Sequence, residues 1–349
     1  MSSFVHLHVH SQYSLLEATC RFNDLCEQAH AFGMPALAIT DYGNMFGAVE
    51  FYFSALAAGV KPIVGLEAYL APKSRHIKGD DKDALKVPNR RLVLLAQNYE
   101  GYQNLCKISS VGYQEGFYYR PRVDYEILEK YSDNVIALSG GLMGEVPWQF
   151  QNKGKDEAIK KIEAFQKIYG DRFYLELNRT GLKDWDGVNH FLMEVAHERK
   201  IPMLAANNVH YLKRGDQIAQ EVLICIGSNK TLQDETRFRL GSDQFYFKSA
   251  EQMRELFADL PKACDTTLEV ADRCNIKFHL KDSEGKPIYH LPSFPTAEGR
   301  DTKEEMSFLS QKGLEARFAE LALRNETVPE EDKSKYFEQR YLEEGSPKD

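Results

Sequence analysis

His8 and His10 stand one residue apart in the opening FVHLHVH. Side chains on an extended strand repeat every second residue, so the two imidazoles reach one side, where they can ligate one metal ion or form a hydrogen-bonded core pair. Spacing alone leaves both readings open. Glu67, in GLE at the end of a later apolar run, and His210, in NNVHYL, supply a carboxylate and a third imidazole. Glu17 can add a further oxygen ligand. Imidazoles with carboxylates are a donor set for zinc or manganese, and such a site can activate water against a phosphoester. Asp41, ahead of a Tyr-Gly turn, either accepts hydrogen bonds from the turn backbone or orients a ligand histidine. His6 is expected to face the opposite side of its strand and to pack.

Other chemistries are excluded by absence of their motifs: the chain has no nucleophile elbow, no GxxxxGK[ST] and no GxGxxG. The basic pieces Lys73 to Lys78 and Arg90 to Arg91 are short, and read as a solvated loop and a strand end. With 44 basic and 52 acidic residues the net charge is −8, which repels a phosphate backbone over most of the surface, so contact with DNA is expected to be local or indirect. The six cysteines form no CxxC pair and read as reduced thiols. No secretory signal and no apolar run of membrane-spanning length is present, and a cytoplasmic protein with no membrane partner is expected.

The elements that must position these groups alternate. Strands are expected at 4–10, 36–41, 62–70, 91–97, 134–139, 173–178 and 201–210, with helices at 22–32, 48–58, 101–111, 156–168 and 188–200. This rhythm implies parallel strands with helical crossovers, in a distorted seven-stranded α/β barrel with a small helical subdomain appended. His8, His10, Asp41, Glu67, Ser139, Asn178 and the run from Asn207 to His210 fall at the carboxyl ends of the strands, which in a barrel converge on one mouth. The expected division is a barrel over 1–212, an extension over 213–292 and a charged helical connection over 293–349. A proline-rich break at Pro292 to Pro295 precedes the last part, where Thr302 and Glu305 read as a capping box opening an amphipathic helix. The charged end of the chain looks like a connection to a further segment.

The segments HLHVHSQYSLLEA, ALAITDYGNMFGAVEFY and GVKPIVGLEAYLA closely resemble the PHP (polymerase and histidinol phosphatase) domain of bacterial DNA polymerase III alpha subunits. LLAQNYEGYQNLCKISS, EGFYYRPRVDYEIL, VIALSGGLMGE, FYLELNRTG, IPMLAANNVHYL, FKSAEQMRELFADLP, LEVADRCNI and LPSFP follow in the family's order, so the resemblance runs from residue 4 to about 320. It implies a barrel of the PHP type whose metal ligands match His8, His10, Glu17, Tyr42, Glu67, Arg91, Gly141, Asn208 and His210. The family pattern would place histidine at Tyr42 and Arg91, cysteine at Gly141 and aspartate at Asn208, so at four of these positions ligand chemistry is lost. Glycine offers no donor, asparagine no charge, and a permanent guanidinium at 91 beside Glu67 can take over the work of a metal. No resident cofactor is therefore expected; any that is held would be zinc or manganese at the residual ligands. The resemblance further implies a scaffold within a DNA-directed DNA polymerase, bracing the rest of the alpha chain and docking the proofreading exonuclease of the holoenzyme. The runner-up is a metal-dependent 3′–5′ exonuclease or phosphoesterase using His8, His10, Glu67 and His210, and a free-standing phosphatase is the third reading.

Overall fold

The computed structural model describes residues 3–79, 87–281, 283–289, 294–296 and 299–323. Pro292 and the charged stretch 325–349 lie outside the described residues. Residues 1–278 form one compact unit and 279–349 a second, a division that falls inside the stretch expected as an extension.

In the first unit, β1 (Ala36–Ile39), β2 (Lys61–Leu70), β3 (Arg90–Ala96), β4 (Arg122–Val123), β5 (Val135–Leu138), β6 (Phe173–Asn178) and β7 (Met203–Ala206) form a curled seven-stranded sheet. The order is β1-β2-β3-β5-β6-β7, with β4 beside β2. Around it run α1 (Phe22–Ala31), α2 (Ala48–Ala57), α3 (Tyr99–Gln114), α4 (Tyr125–Lys130), α5 (Glu145–Lys153), α6 (Lys155–Tyr169) and α7 (Asp184–Arg199). Then follow α8 (Gln217–Ser228), α9 (Ala250–Leu256) and α10 (Pro261–Arg273). This is the α/β barrel of distorted type that the alternation implies. The expectation of uniformly parallel strands is corrected at β3, which runs antiparallel to both β2 and β5. Apolar runs record burial and not direction, so the sequence pattern is blind to this reversal.

The expected first strand, 4–10, is not a regular ladder. It lies between the two sheet edges, bonding to β1 through Ala38 N–H to His6 O (3.0 Å) and to the residues after β7 through Val209 N–H to His8 O (3.0 Å). Val5 and Leu7 belong to the cluster on the sheet's inner surface, yet His8 and His10 also face inner groups, so strict alternation breaks between Leu7 and His8. That break carries His6 away from the site. Its Nε2 meets Lys248 O at 2.8 Å, and its ring packs on Phe4 and Phe247.

Two apolar clusters fix the layers. The larger fills the space between sheet and helices, with Phe51, Leu105, Ile162, Phe165 and Leu192 at its centre. The smaller lines the inner surface with Val5, Ala38, Ile63, Val93, Leu138 and Leu204, and Val270 and Ala271 of α10 close it. All six cysteines are free thiols, and five of them are buried. The basic pieces are not simply solvated. Arg75 is buried on Asp124 (2.9 Å), with Glu115 and Glu126 beside it, and Arg90 is buried with its guanidinium 3.2 Å above the Trp148 ring. Desolvation makes such arginines exchange water for carboxylates or ring faces, a pairing that local sequence does not reveal.

In the second unit, α11 (Thr302–Leu323) is capped one residue earlier than expected. Asp301 accepts from Glu304 N–H (2.8 Å) and Glu304 accepts from Asp301 N–H (2.9 Å), while Glu305 pairs with Arg300. Among the described residues no helix is long and apolar enough to cross a membrane.

Helix α3 approaches the sheet through a glycine, and a Cβ at Gly101 would lie 2.1 Å from the Asn134 carbonyl oxygen. On an isolated helix Gly→Ala stabilises by about 1 kcal/mol. Here the clash reverses the sign, and Gly101→Ala should destabilise by about 1–3 kcal/mol in urea unfolding. An unchanged or raised midpoint would contradict this packing.

Candidate functional site

The mouth is built from residues that share the inner surface. Glu67 on β2 lies opposite Val93, Glu176 and Asn178 alternate along the end of β6, and Asn208 to His210 follow β7. Arg91 arrives from the amino end of its strand, and it reaches the mouth because β3 runs backwards. Its position in the register, across from Tyr69, sets it two residues along from the Glu67–Val93 pair on the same face.

At the centre is a chain of buried charges. His8 Nδ1 lies 2.8 Å from Glu176 Oε1 and its Nε2 lies 2.9 Å from Glu67 Oε2. An imidazole between two acceptors satisfies both only with a proton on each nitrogen. Burial alone would depress the His8 pKa, but the Glu176 and Glu67 carboxylates outweigh it and lift it to about 10. Burial pushes the Glu67 carboxyl up, yet His8, the His10 hydrogen bond and Arg91 hold it well below the usual carboxylate range. His10 Nε2 completes the chain at 2.7 Å from the same Glu67 oxygen, and its Nδ1 donates to Val209 O at 3.1 Å.

His210 is held differently. Its Nδ1 donates to the Asn208 carbonyl at 2.8 Å, which leaves the lone pair on Nε2, the arrangement of a histidine prepared to ligate. That lone pair is taken by the Tyr42 hydroxyl at 2.9 Å. Burial, and then the neighbouring His10, keep the His210 pKa well below its ordinary value. The Tyr42 ring stacks on His10 at 4.0 Å, and on its other contact the Arg91 guanidinium lies 4.0 Å from its centroid. Burial drives the Tyr42 hydroxyl well above its ordinary pKa, against the pull of Arg91.

Of the residues expected at the site, His8, His10 and Glu67 are brought together, with ligand atoms within 4.8 Å of one another. His210 adjoins them across a 4.5 Å ring contact with His10. Glu17 is not part of the cluster: at the rim it accepts from Arg120 Nη2 at 2.7 Å and lies 3.8 Å from Arg91. Arg91 makes its direct contacts with Tyr42 and Glu17, acting on Glu67 through its field and not through a bonded pair. Asp41 fits neither of its alternatives. It accepts from Ser11 N–H and Ser11 Oγ (both 2.7 Å) and from Ser14 Oγ (2.6 Å), and so pins the loop that leaves His10. Gly141 and Asn208 face each other, since a Cβ at 141 would come within 3.1 Å of Asn208 Nδ2. Glu176 was missed. Its signal was a lone carboxylate in FYLELN, two residues before Asn178, whose Nδ2 donates to it at 2.7 Å.

In donor type, His8, His10 and Glu67 fit a single divalent ion. Tyr42, Arg91, Gly141 and Asn208 extend that set with no ordinary ligand for a second one.

The PHP domain family matches residues 6–180. The DNA polymerase III subunit alpha of Borreliella burgdorferi is 41% identical over 320 residues, which is 92% of this chain and 27% of that protein. That of Thermus aquaticus is 41% identical over 323 residues, 90% of this chain and 26% of its own length. That of Helicobacter pylori strain 26695 is 36% identical over 353 residues, covering 96% and 28%. The chain thus spans about a quarter of the length of the curated relatives it matches. Among solved structures, an amidohydrolase from Chromobacterium violaceum aligns over 60% of this chain at 12% identity and a TM-score of 0.37, a level that carries no argument.

The buried imidazolium has a pH consequence. His8 is raised from 6.5 to about 10 on folding, so its contribution to stability is full below pH 6.5 and is lost as pH rises through about 10. In chelator-treated protein the stability gap between the wild type and His8→Gln should therefore narrow steadily over that interval. A gap that is flat or widens with pH would show that His8 is not the shared cation.

Proposed function

The chain belongs to the PHP family, and from that premise we propose that it serves DNA replication as the PHP portion of a DNA polymerase III alpha subunit, a domain that braces the polymerase and docks its proofreading exonuclease. Its mouth is a converted metal site. The observation that carries this reading is the capping of His210: the lone pair a metal would use accepts the Tyr42 hydroxyl, and Tyr42 is covered in turn by the guanidinium of Arg91. Tyrosine and arginine stand where the family pattern has histidines, so the substitutions occupy the space and the charge of the lost ions. The polymerase chemistry belongs to the remainder of the alpha chain, and this segment reaches DNA only through its partners.

A second reading has its own support in the convergence of His8, His10 and Glu67 within 4.8 Å. A divalent ion held there would supply a polarised water for phosphoester attack. In that reading the segment is a 3′–5′ exonuclease or phosphoesterase, and His210 must turn from Tyr42 to join the ligands.

Metal content of the chain purified without chelator, read by mass spectrometry beside a 3′–5′ exonuclease assay with added manganese or zinc, separates the two. The proposal expects metal well below one ion per chain and no degradation of DNA, with Arg91→His raising metal content. Stoichiometric metal together with activity abolished by His8→Ala and His10→Ala would replace the scaffold with the nuclease. Docking is tested separately, by size-exclusion chromatography with the cognate proofreading exonuclease: co-elution is expected, and independent elution at micromolar concentration removes that half of the proposal.

A further inference from the structure

Two braced loops flank a recess beside the mouth. One is the turn 118–120, where Tyr118 N–H donates to Arg120 O at 3.1 Å and Tyr119 takes φ 58°. The other is the loop 11–19, pinned by Asp41, where Leu16 takes φ 63°. Of the six described non-glycine residues with positive φ, three are asparagines and one is the lysine that ends α7; Leu16 and Tyr119 are the two large apolar or aromatic ones. Such side chains stay in the left-handed region only where the surroundings hold them, and strain of this kind gathers at functional sites. The hold comes from beneath. Arg122 is buried, and its Nε and Nη2 donate to Gly116 O (3.0 Å) and Ile77 O (2.6 Å), so the turn is fixed while its tip projects. In the other loop Thr19 N–H donates to His210 O (2.9 Å), and Glu17 O accepts from Gln220 Nε2 (3.0 Å).

The recess has a volume of about 130 Å³, close to that of a cavity that admits benzene. Leu15, Phe46, Tyr113, Phe117 and Tyr119 line it and are 62, 58, 38, 49 and 82% exposed. The Phe46, Tyr113 and Phe117 rings follow one another at 6.0 and 6.1 Å between centroids. Together the five residues leave roughly 700 Å² in water, more than the largest apolar patch of an ordinary monomer and near the ~800 Å² that each partner brings to a standard interface. The charged residues of the lining, Glu17 and Arg120, are bonded to each other at 2.7 Å, so a phosphate backbone finds no free counter-charge there.

We propose that this face joins two copies of the chain about a two-fold axis, the Tyr119 ring of each entering the recess of the other. A knob and a hole side by side on one surface are what an isologous contact requires, since each copy then offers and receives the same group. The balanced charge of the lining neither repels a second copy nor calls for a partner of one sign. Loops already fixed in place lose little freedom on association, so an apolar area of this size suffices.

Sedimentation velocity of the purified chain from about 1 to 100 μM is the test, and the weight-average mass should rise from that of one chain toward that of two. Tyr119→Asn removes the ring and suits the left-handed backbone, so it should keep or raise the melting temperature while weakening association about tenfold or more, a combination that a loss of folding cannot produce. Leu15→Asp should weaken association likewise. Ile218→Ser, at an exposed residue near the start of α8 and outside the recess, should leave it unchanged. A mass of one chain throughout overturns the proposal, and so does association that Tyr119→Asn keeps and Ile218→Ser abolishes. If the chain alone stays monomeric and the proofreading exonuclease co-elutes with the wild type but not with Tyr119→Asn, the recess belongs to that partner and the two-fold contact is wrong, while the scaffold reading stands.

Discussion

Two carboxylates buried in the interior of a small barrel set the problem that the rest of the mouth must solve. Glu67 and Glu176 are both fully enclosed, and an unpaired buried charge costs several kcal/mol. A single imidazolium, His8, spans the gap between them, with one nitrogen on each. The opening segment therefore has to depart from regular strand geometry to put His8 and His10 inward while Val5 and Leu7 also face the inner cluster. Asp41 then fixes the exit of that segment through Ser11 and Ser14, so the position of the cation is held from both sides. Burial pushes the Asp41 carboxyl upward, and the Ser14 and Ser11 bonds oppose it, as expected for a carboxylate used to anchor a loop.

Much of this was readable before the fold was known. The apolar runs located six of the seven strands, because a run of four to ten buried residues has few alternatives in an α/β protein. The gathering of His8, His10 and Glu67 followed from their places at the ends of those runs. The rest was hidden for identifiable reasons. Strand direction leaves no trace in hydrophobicity, so the route by which Arg91 enters the mouth could not be seen. The strand Arg122–Val123 is too short to carry a periodic signal, and α4 and α5 lie in stretches where aromatic and polar residues blur the period. Glu176 sits among apolar neighbours that read only as a core strand, and a side chain's partner 168 residues away is not a local property.

Tyr42, Arg91, Gly141 and Asn208 make sense as a group and not one by one. Tyr42 needs a lone pair for its buried hydroxyl and finds His210; its ring needs cover and finds His10 and Arg91. Arg91 in turn needs acceptors for a charge that burial disfavours, and Tyr42, Glu67, Tyr69 and Glu17 surround it with enough negative potential to raise its pKa. Asn208 spreads into space that Gly141 leaves open. Each side chain supplies what its neighbour lacks, so replacing one alone leaves a donor, an acceptor or a void without a counterpart.

That mutual dependence bears on why the mouth keeps so many ionisable groups. A barrel interior could be filled with aliphatic side chains at no loss of stability, since buried ion pairs are often no better than well-packed apolar residues. Stepwise change runs against this, because removing either carboxylate leaves one nitrogen of His8 unanswered, and removing His8 leaves Glu176 with Asn178 and Glu67 with His10 as their remaining partners. A network of this kind is easier to cap than to dismantle. Tyr42 and Arg91 are caps in that sense, setting a hydroxyl on His210 Nε2 and a guanidinium over the Tyr42 ring. The mouth is thereby tied together by contacts among its own side chains, from His210 through Tyr42 to Arg91.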